Sequence, residues 1–128
     1  MYCIDTNIAI DFLRGESEVI KKLSLLREEG IYMTSISLCE LFKGVFLSSK
    51  SESNLKIVEA FIESNGILDL DKESSREFGN LFSRLNKIGK MIPEADLMIA
   101  SIVKANNIAL ITRDKKHFEN LGIEVISW

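Results

Sequence analysis

The chain has 128 residues, of which 46% are hydrophobic and 27% charged, with a formal net charge of −3. This size and apolar content fit one core-forming domain over residues 1–128 and exclude disordered and fibrous classes. The acidic balance excludes capture of a polyanion by overall charge, so any nucleic-acid contact has to be local.

In chain order, short β-prone runs fall at Tyr2 to Asp5, Ile31 to Thr34, Ile67 to Leu70, Ile108 to Thr112 and Glu124 to Ser127, separated by stretches with helical apolar spacing. Ser17 opens a helix with Val19, Ile20, Leu23 and Leu26 on one side, and Gly30 stops it. A second runs from about Ser51 through Leu55, Val58, Phe61 and Ile62 to Gly66. Asp71 caps a third that carries Phe78, Leu81, Phe82, Leu85 and Ile88 before Gly89. Pro93 suits the first turn of a fourth, Glu94 to Asn106, whose residues Leu97 to Val103 are almost all apolar, so this helix is expected to be buried on most sides. Such alternation is the signature of an α/β fold with a mainly parallel sheet. With no Gly/Ser linker and a single Pro, nothing marks a second domain.

One His and two Cys, Cys3 and Cys39, cannot form a four-ligand zinc site, and both thiols lie in apolar runs, which suits a reduced, cytoplasmic setting. No apolar run reaches the ~20 residues of a membrane helix. Met1 leads directly into Tyr2-Cys3-Ile4-Asp5, so neither a membrane anchor nor an export leader is expected.

Asp5 follows the first strand, Glu40 lies just after the second and Asp114 follows the fourth. Ligands of open parallel sheets bind beyond the carboxyl ends of the strands, which aims three acids at one crevice. Asp96, in the first turn of the fourth helix, joins them if it reaches across. Each acid also has a plain structural reading. Asp5 and Asp114 suit helix caps, Ser37-Leu38-Cys39-Glu40 matches a capping box, and the helix dipole favours Asp96. Convergence weighs against accident, because two charges about 4 Å apart repel by about 4 kcal/mol at an effective dielectric near 20. Summed over four carboxylates this rivals a domain's net stability of roughly 5–15 kcal/mol. A divalent cation removes the conflict, and oxygen donors without His or Cys select Mg²⁺ or Mn²⁺ over zinc. His117, the only His, reads as a partly solvated helix residue beside an inward-turning Phe118. Arg113, Lys115 and Lys116 beside Asp114, and Lys43 after Glu40, offer a local basic surface for a phosphate backbone, with Arg84, Lys87 and Lys90 as further cations. Arg113 reads equally as a surface salt-bridge partner.

Ile4-Asp5-Thr6-Asn7, Glu40-Leu41-Phe42-Lys43-Gly44, Asp96-Leu97-Met98-Ile99-Ala100 and Thr112-Arg113-Asp114, in that order, resemble the PIN-domain nucleases. The short form closing on Val125-Ile126-Ser127-Trp128 is similar to the VapC toxins of toxin-antitoxin operons. The resemblance implies a three-layer fold with a five-stranded parallel sheet flanked by helices, a Mg²⁺- or Mn²⁺-dependent endoribonuclease, a homodimer, a cognate antitoxin, and no organic cofactor. It places Asp5, Glu40, Asp96 and Asp114 as the acidic quartet, Thr112 as a supporting hydroxyl, and Thr6 and Asn7 as neighbours of the first acid. Glu94 either assists the site or is a first-turn helix acid, with the second reading preferred. An amphipathic antitoxin helix would suit an apolar groove around Leu23, Leu26, Phe42 and Phe46, residues that burial in the core or a dimer seam explains equally well.

Other readings are a free-standing PIN nuclease and a non-catalytic PIN scaffold. A haloacid-dehalogenase-type phosphatase needs a second Asp where Asn7 stands, and a receiver-like module needs an acid pair that Cys3-Ile4-Asp5 does not supply.

Overall fold

A computed structural model describes residues 1–128. Five strands, β1 (Tyr2–Ile4), β2 (Ile31–Thr34), β3 (Gly66–Leu68), β4 (Ala109–Thr112) and β5 (Val125–Ser127), pair in parallel in the order β3-β2-β1-β4-β5. Around them run α1 (Thr6–Leu13), α2 (Ser17–Leu26), α3 (Ser35–Leu47), α4 (Ser51–Glu63), α5 (Lys72–Ile88), α6 (Glu94–Asn106) and the short α7 (Lys115–Phe118). Adjacent strand residues point to opposite faces, so both faces of the sheet are covered. Ile4, Met33 and Ile111 pack with Ile8, Leu41, Val58 and Phe61 from α1, α3 and α4. On the other face Cys3 and Leu110 pack with Leu81 and Leu85 of α5, Leu97 and Val103 of α6, and Phe118 of α7. The three-layer α/β expectation therefore holds. No helix is long and apolar enough to cross a membrane.

Local chemistry sets the helix ends. The Asp71 carboxylate accepts from Ser74 N at 2.9 Å while the Ser74 hydroxyl accepts from Asp71 N at 2.8 Å, a reciprocal cap that starts α5. Gly89 ends α5 in the left-handed region, at φ 68°, where a side chain would be strained. α6 buries Leu97 and Ile99 through Val103, as its apolar run predicts. Pro93 precedes α6 as its cap residue rather than sitting inside the first turn.

The two helices that border the crevice start at the strand ends, α1 where the Asp5 cap reading puts it and α3 earlier than its sequence pattern indicates. α1 begins at Thr6, directly after β1 and Asp5. α3 begins at Ser35 because the Thr34 hydroxyl accepts from Ser37 N at 3.1 Å and caps the helix. Ser37 is consequently its third residue, the expected Ser37–Glu40 capping box does not form, and Glu40 projects from the body of α3 rather than from a loop.

Strand order reverses between β1 and β4: from β1 the chain winds out through β2 and β3, and from β4 to β5 on the other side. Such a reversal splays the flanking connections and opens a crevice at the carboxyl ends of the strands. Asp5 is the first residue beyond β1, and Asp114 the second beyond β4.

Candidate active site

Asp5 is the most constrained acid, 3% exposed. Its backbone N–H continues the β1–β4 ladder, donating to Ile111 O at 2.9 Å. Its Oδ1 accepts from Thr6 N at 2.8 Å, capping α1, and its Oδ2 accepts from the Thr112 hydroxyl at 2.7 Å. The Asp5 side chain thus caps α1, as its plain structural reading has it, and also ties β1 to β4. Burial pushes the Asp5 carboxyl above its ordinary range; the Thr112 and Thr6 hydrogen bonds pull it back down, and the charges of Asp96 and Asp114 push it up again. Asp5, Asp96 and Asp114 therefore share one electrostatic field.

Each remaining acid has one oxygen held by a donor. Asn7 Nδ2 donates to Asp114 Oδ2 at 2.8 Å, and Asp114 N donates to Thr112 Oγ1 at 3.0 Å, so the ends of β1 and β4 are stitched together through Asp5, Thr112, Asp114 and Asn7. Thr6 Oγ1 lies 2.7 Å from Glu40 Oε1 and 2.9 Å from Ser37 Oγ, which in turn lies 3.3 Å from Thr34 Oγ1. The ionised Glu40 can only accept. The single Thr6 proton goes to it, Ser37 donates to Thr6, and Thr34 donates to Ser37. Asp96 Oδ2 lies 2.7 Å from His117 Nδ1.

His117 is the partly solvated helix residue expected beside buried Phe118, and that last contact adds a partner among the four acids. Its partner lies 21 residues away in sequence, so no local spacing could reveal it. Arg113 is also engaged, with Nη2 2.8 Å from Asp11 Oδ2 on α1, as the salt-bridge alternative had it. Lys115 and Lys116 are exposed and, with Arg113, Asp114 and His117, line a cleft of about 420 Å³. Lys43 is exposed on α3, and Glu94 is exposed in the first turn of α6. Arg84 is tied to Asn120 O at 3.2 Å. Cys3 is buried and Cys39 exposed, both as free thiols.

Of the residues expected either around an apolar groove or in the core, Leu23, Leu26 and Phe42 take the core reading. Leu23 is part of the core and Phe42 packs against it, whereas Phe46 is 67% exposed. An open groove of about 300 Å³ runs between α1, α3 and α4 instead, floored by Ile10, Leu13, Leu41, Val45 and Val58, with Glu40 and Arg14 among its polar lining.

No group of three or more acidic, His or Cys side chains closes into a ready-made cage, so the quartet is a set of separately held carboxylates rather than a tight cluster. The donors nevertheless fit a hard divalent ion. They are oxygens, and the groups holding Asp5, Glu40 and Asp114 are hydroxyl, amide and backbone donors that leave the carboxylates' charge unpaired.

A family model described as "PIN domain" matches residues 2–124. The chain belongs to the PIN-domain family. Within that family it is similar to ribonuclease VapC2 of Haemophilus influenzae, 30% identical over 129 residues covering 99% of this chain and 97% of the relative. Ribonuclease VapC2 of Rickettsia felis is 32% identical over 123 residues, covering 94% and 92% of the two chains. Among solved structures, VapBC2 from Rickettsia felis bound to a DNA fragment of its promoter superposes on this PIN domain with a TM-score of 0.93 at 30% identity, covering 99% of this chain and 98% of that one.

Proposed function

We propose that this PIN domain is a metal-dependent endoribonuclease that hydrolyses RNA phosphodiester bonds and serves as the toxin of a VapBC-type pair. The observation that carries the reading is the coupling of buried Asp5 with Asp96 and Asp114 at the switch point of the sheet, in a chain whose relatives are VapC ribonucleases.

In this reading Asp5, Glu40, Asp96 and Asp114 hold Mg²⁺ or Mn²⁺. The bound ion supplies a water activated near neutral pH, a polarised phosphoryl group and a stabilised leaving oxygen. The chain's own residues do the rest. Thr112 and the Thr6 N–H fix both oxygens of Asp5. The Thr34–Ser37–Thr6 hydroxyl relay turns Glu40 toward the same crevice. Asn7 ties Asp114 to α1. Lys115 and Lys116, at the cleft beside Asp114, neutralise phosphates on either side of the reacting bond, and Lys43 extends this surface along α3. Arg113 contributes to RNA binding only insofar as its guanidinium leaves Asp11. Glu94 serves α6 as a first-turn acid.

The groove between α1, α3 and α4 suits the amphipathic helix of a short antitoxin, with a basic side chain of that helix reaching Glu40 at the groove wall. Residues 1–128 act as one domain, and the protein works in the cytoplasm as a homodimer.

Antitoxin-free protein is expected to cleave unstructured RNA with Mg²⁺ or Mn²⁺ and to stop when EDTA is added. Undiminished cleavage in EDTA would remove the metal mechanism.

A further inference from the structure

The four acids share a feature that their sequence positions do not disclose: every carboxylate has an oxygen gripped by a donor from another part of the site. For Asp5, Glu40 and Asp114 the donors come from Thr6, Thr112 and Asn7, the residues that accompany the acids in sequence. For Asp96 the donor is His117. We infer that His117 is a positioning residue, whose Nδ1–H holds the Asp96 carboxylate turned into the crevice. The inference rests on the reading of Asp96 as a metal-holding carboxylate.

Three observations support it. Asp96 Oδ2 carries only lone pairs when ionised, so the 2.7 Å contact requires the proton on Nδ1. His117 is held firmly: Phe118 beside it is buried in the core, and His117 N donates to Asp114 O at 3.0 Å, so α7 carries Asp114 at its start and the Asp96 clamp one turn later. One short helix thereby links two acids, Asp114 at its own start and Asp96 on α6. Finally, Asp96 faces like charge from Asp5, and a carboxylate free to rotate would turn toward solvent. Its side chain is 20% exposed and that of His117 44%, and the His117 ring is the one side chain within hydrogen-bond distance of the acid.

An ordinary exposed ion pair would contribute little and its removal would leave the site unchanged. A donor that orients a metal ligand is worth about 10- to 100-fold in metal affinity when removed. The two are separated by Mn²⁺ binding to the full-length protein, followed by the electron paramagnetic resonance of the free ion. His117→Ala is expected to weaken Mn²⁺ binding by about tenfold or more, whereas His117→Asn, whose side-chain amide places a donor near the Nδ1 position, is expected to restore most of it. Because His117 is the only histidine, ¹⁵N spectra of its ring need no assignment. At a pH well above the ordinary imidazole value of about 6.5, the proton is expected on Nδ1, the tautomer a free imidazole disfavours.

Binding unchanged in His117→Ala, no recovery in His117→Asn, or a neutral ring protonated on Nε2 in the wild type would each overturn the inference. Failure of the metal reading looks different: Asp96→Asn would then bind Mn²⁺ as tightly as the wild type, and both proposals would fall together.

Discussion

Asp5 illustrates how one side chain serves fold and site at once. Its Oδ1 starts α1 and its Oδ2 joins β1 to β4, yet burial and the nearby Asp96 and Asp114 raise its carboxyl above the ordinary carboxylate range. A raised folded value means that the folded chain holds this proton more tightly than the unfolded one. The stability so contributed is present below the unfolded value of about 3.9 and is lost as pH rises through the folded one. At neutral pH in the absence of metal, ionising Asp5 therefore costs folding stability relative to its neutral form. Asp5→Asn is expected to abolish cleavage while melting a few degrees higher than metal-free wild type near neutral pH. The gap should shrink as pH falls toward 4, and Mg²⁺ should raise the wild type alone. Thermal melts across pH check this; an Asn variant that melts lower at every pH would show that the cap hydrogen bonds outweigh the repulsion. The positions of Asp5, Asp96 and Asp114 were legible because strand ends and helix starts are local patterns. Thr6, Asn7 and Thr112 were named through the family resemblance because each stands near an acid in sequence, but the pairs they form, Thr6 with Glu40, Asn7 with Asp114 and Thr112 with Asp5, span 34 to 107 residues and only folding shows them, as it shows His117 with Asp96.

At the scale of elements, the sequence displays strands and amphipathic helices well and helix starts poorly. α5 and α6 carry strong signals, a reciprocal cap at Asp71 and an apolar run from Leu97, and both form where expected. α3 does not start where Ser37-x-x-Glu40 suggests, because Thr34, still in β2, also has a capping hydroxyl and is reached first. The same limit left Leu23, Leu26, Phe42 and Phe46 divided between a groove and the core. Leu23 and Phe46 both occupy apolar helical positions, but periodicity does not say whether a helix face meets the sheet, another helix or solvent. Packing resolves it, burying Leu23 and leaving the opening between α1, α3 and α4, with Ile57 of α4 at its edge and 54% exposed. Ile57→Glu is expected to remain folded, since the side chain already meets water, and to weaken antitoxin capture by about thirtyfold or more if Ile57 is an anchor. RNA cleavage by this variant should then continue when antitoxin is added. Inhibition at wild-type antitoxin concentrations would move the binding surface away from this groove.

At the scale of the whole molecule, parallel pairing was foreseeable from the alternation of strands and helices, and five strands from the family resemblance, but the strand order β3-β2-β1-β4-β5, which creates the crevice, leaves no periodic trace and comes from the structure alone. Net charge is a whole-molecule property with a direct consequence for RNA. A chain at −3 repels RNA at long range, so binding depends on the few cations that stand at the crevice and remain free to meet phosphate. Lys115 and Lys116 qualify, whereas Arg113 is held at 2.8 Å by Asp11. Each single-strand phosphate contact contributes about 0.7 to the slope of log affinity against log salt. Lys115→Ala combined with Lys116→Ala should therefore lower that slope by about 1.4 and weaken binding for all sequences alike, with metal affinity little changed. Arg113→Ala should lower it by well under one contact's worth, because the RNA would have to compete with Asp11 for the guanidinium. Salt titrations of a labelled, unstructured RNA in EDTA check both; a larger effect from Arg113→Ala than from the double lysine variant would mean that the Asp11 pair opens on binding and that Arg113 is the principal phosphate contact.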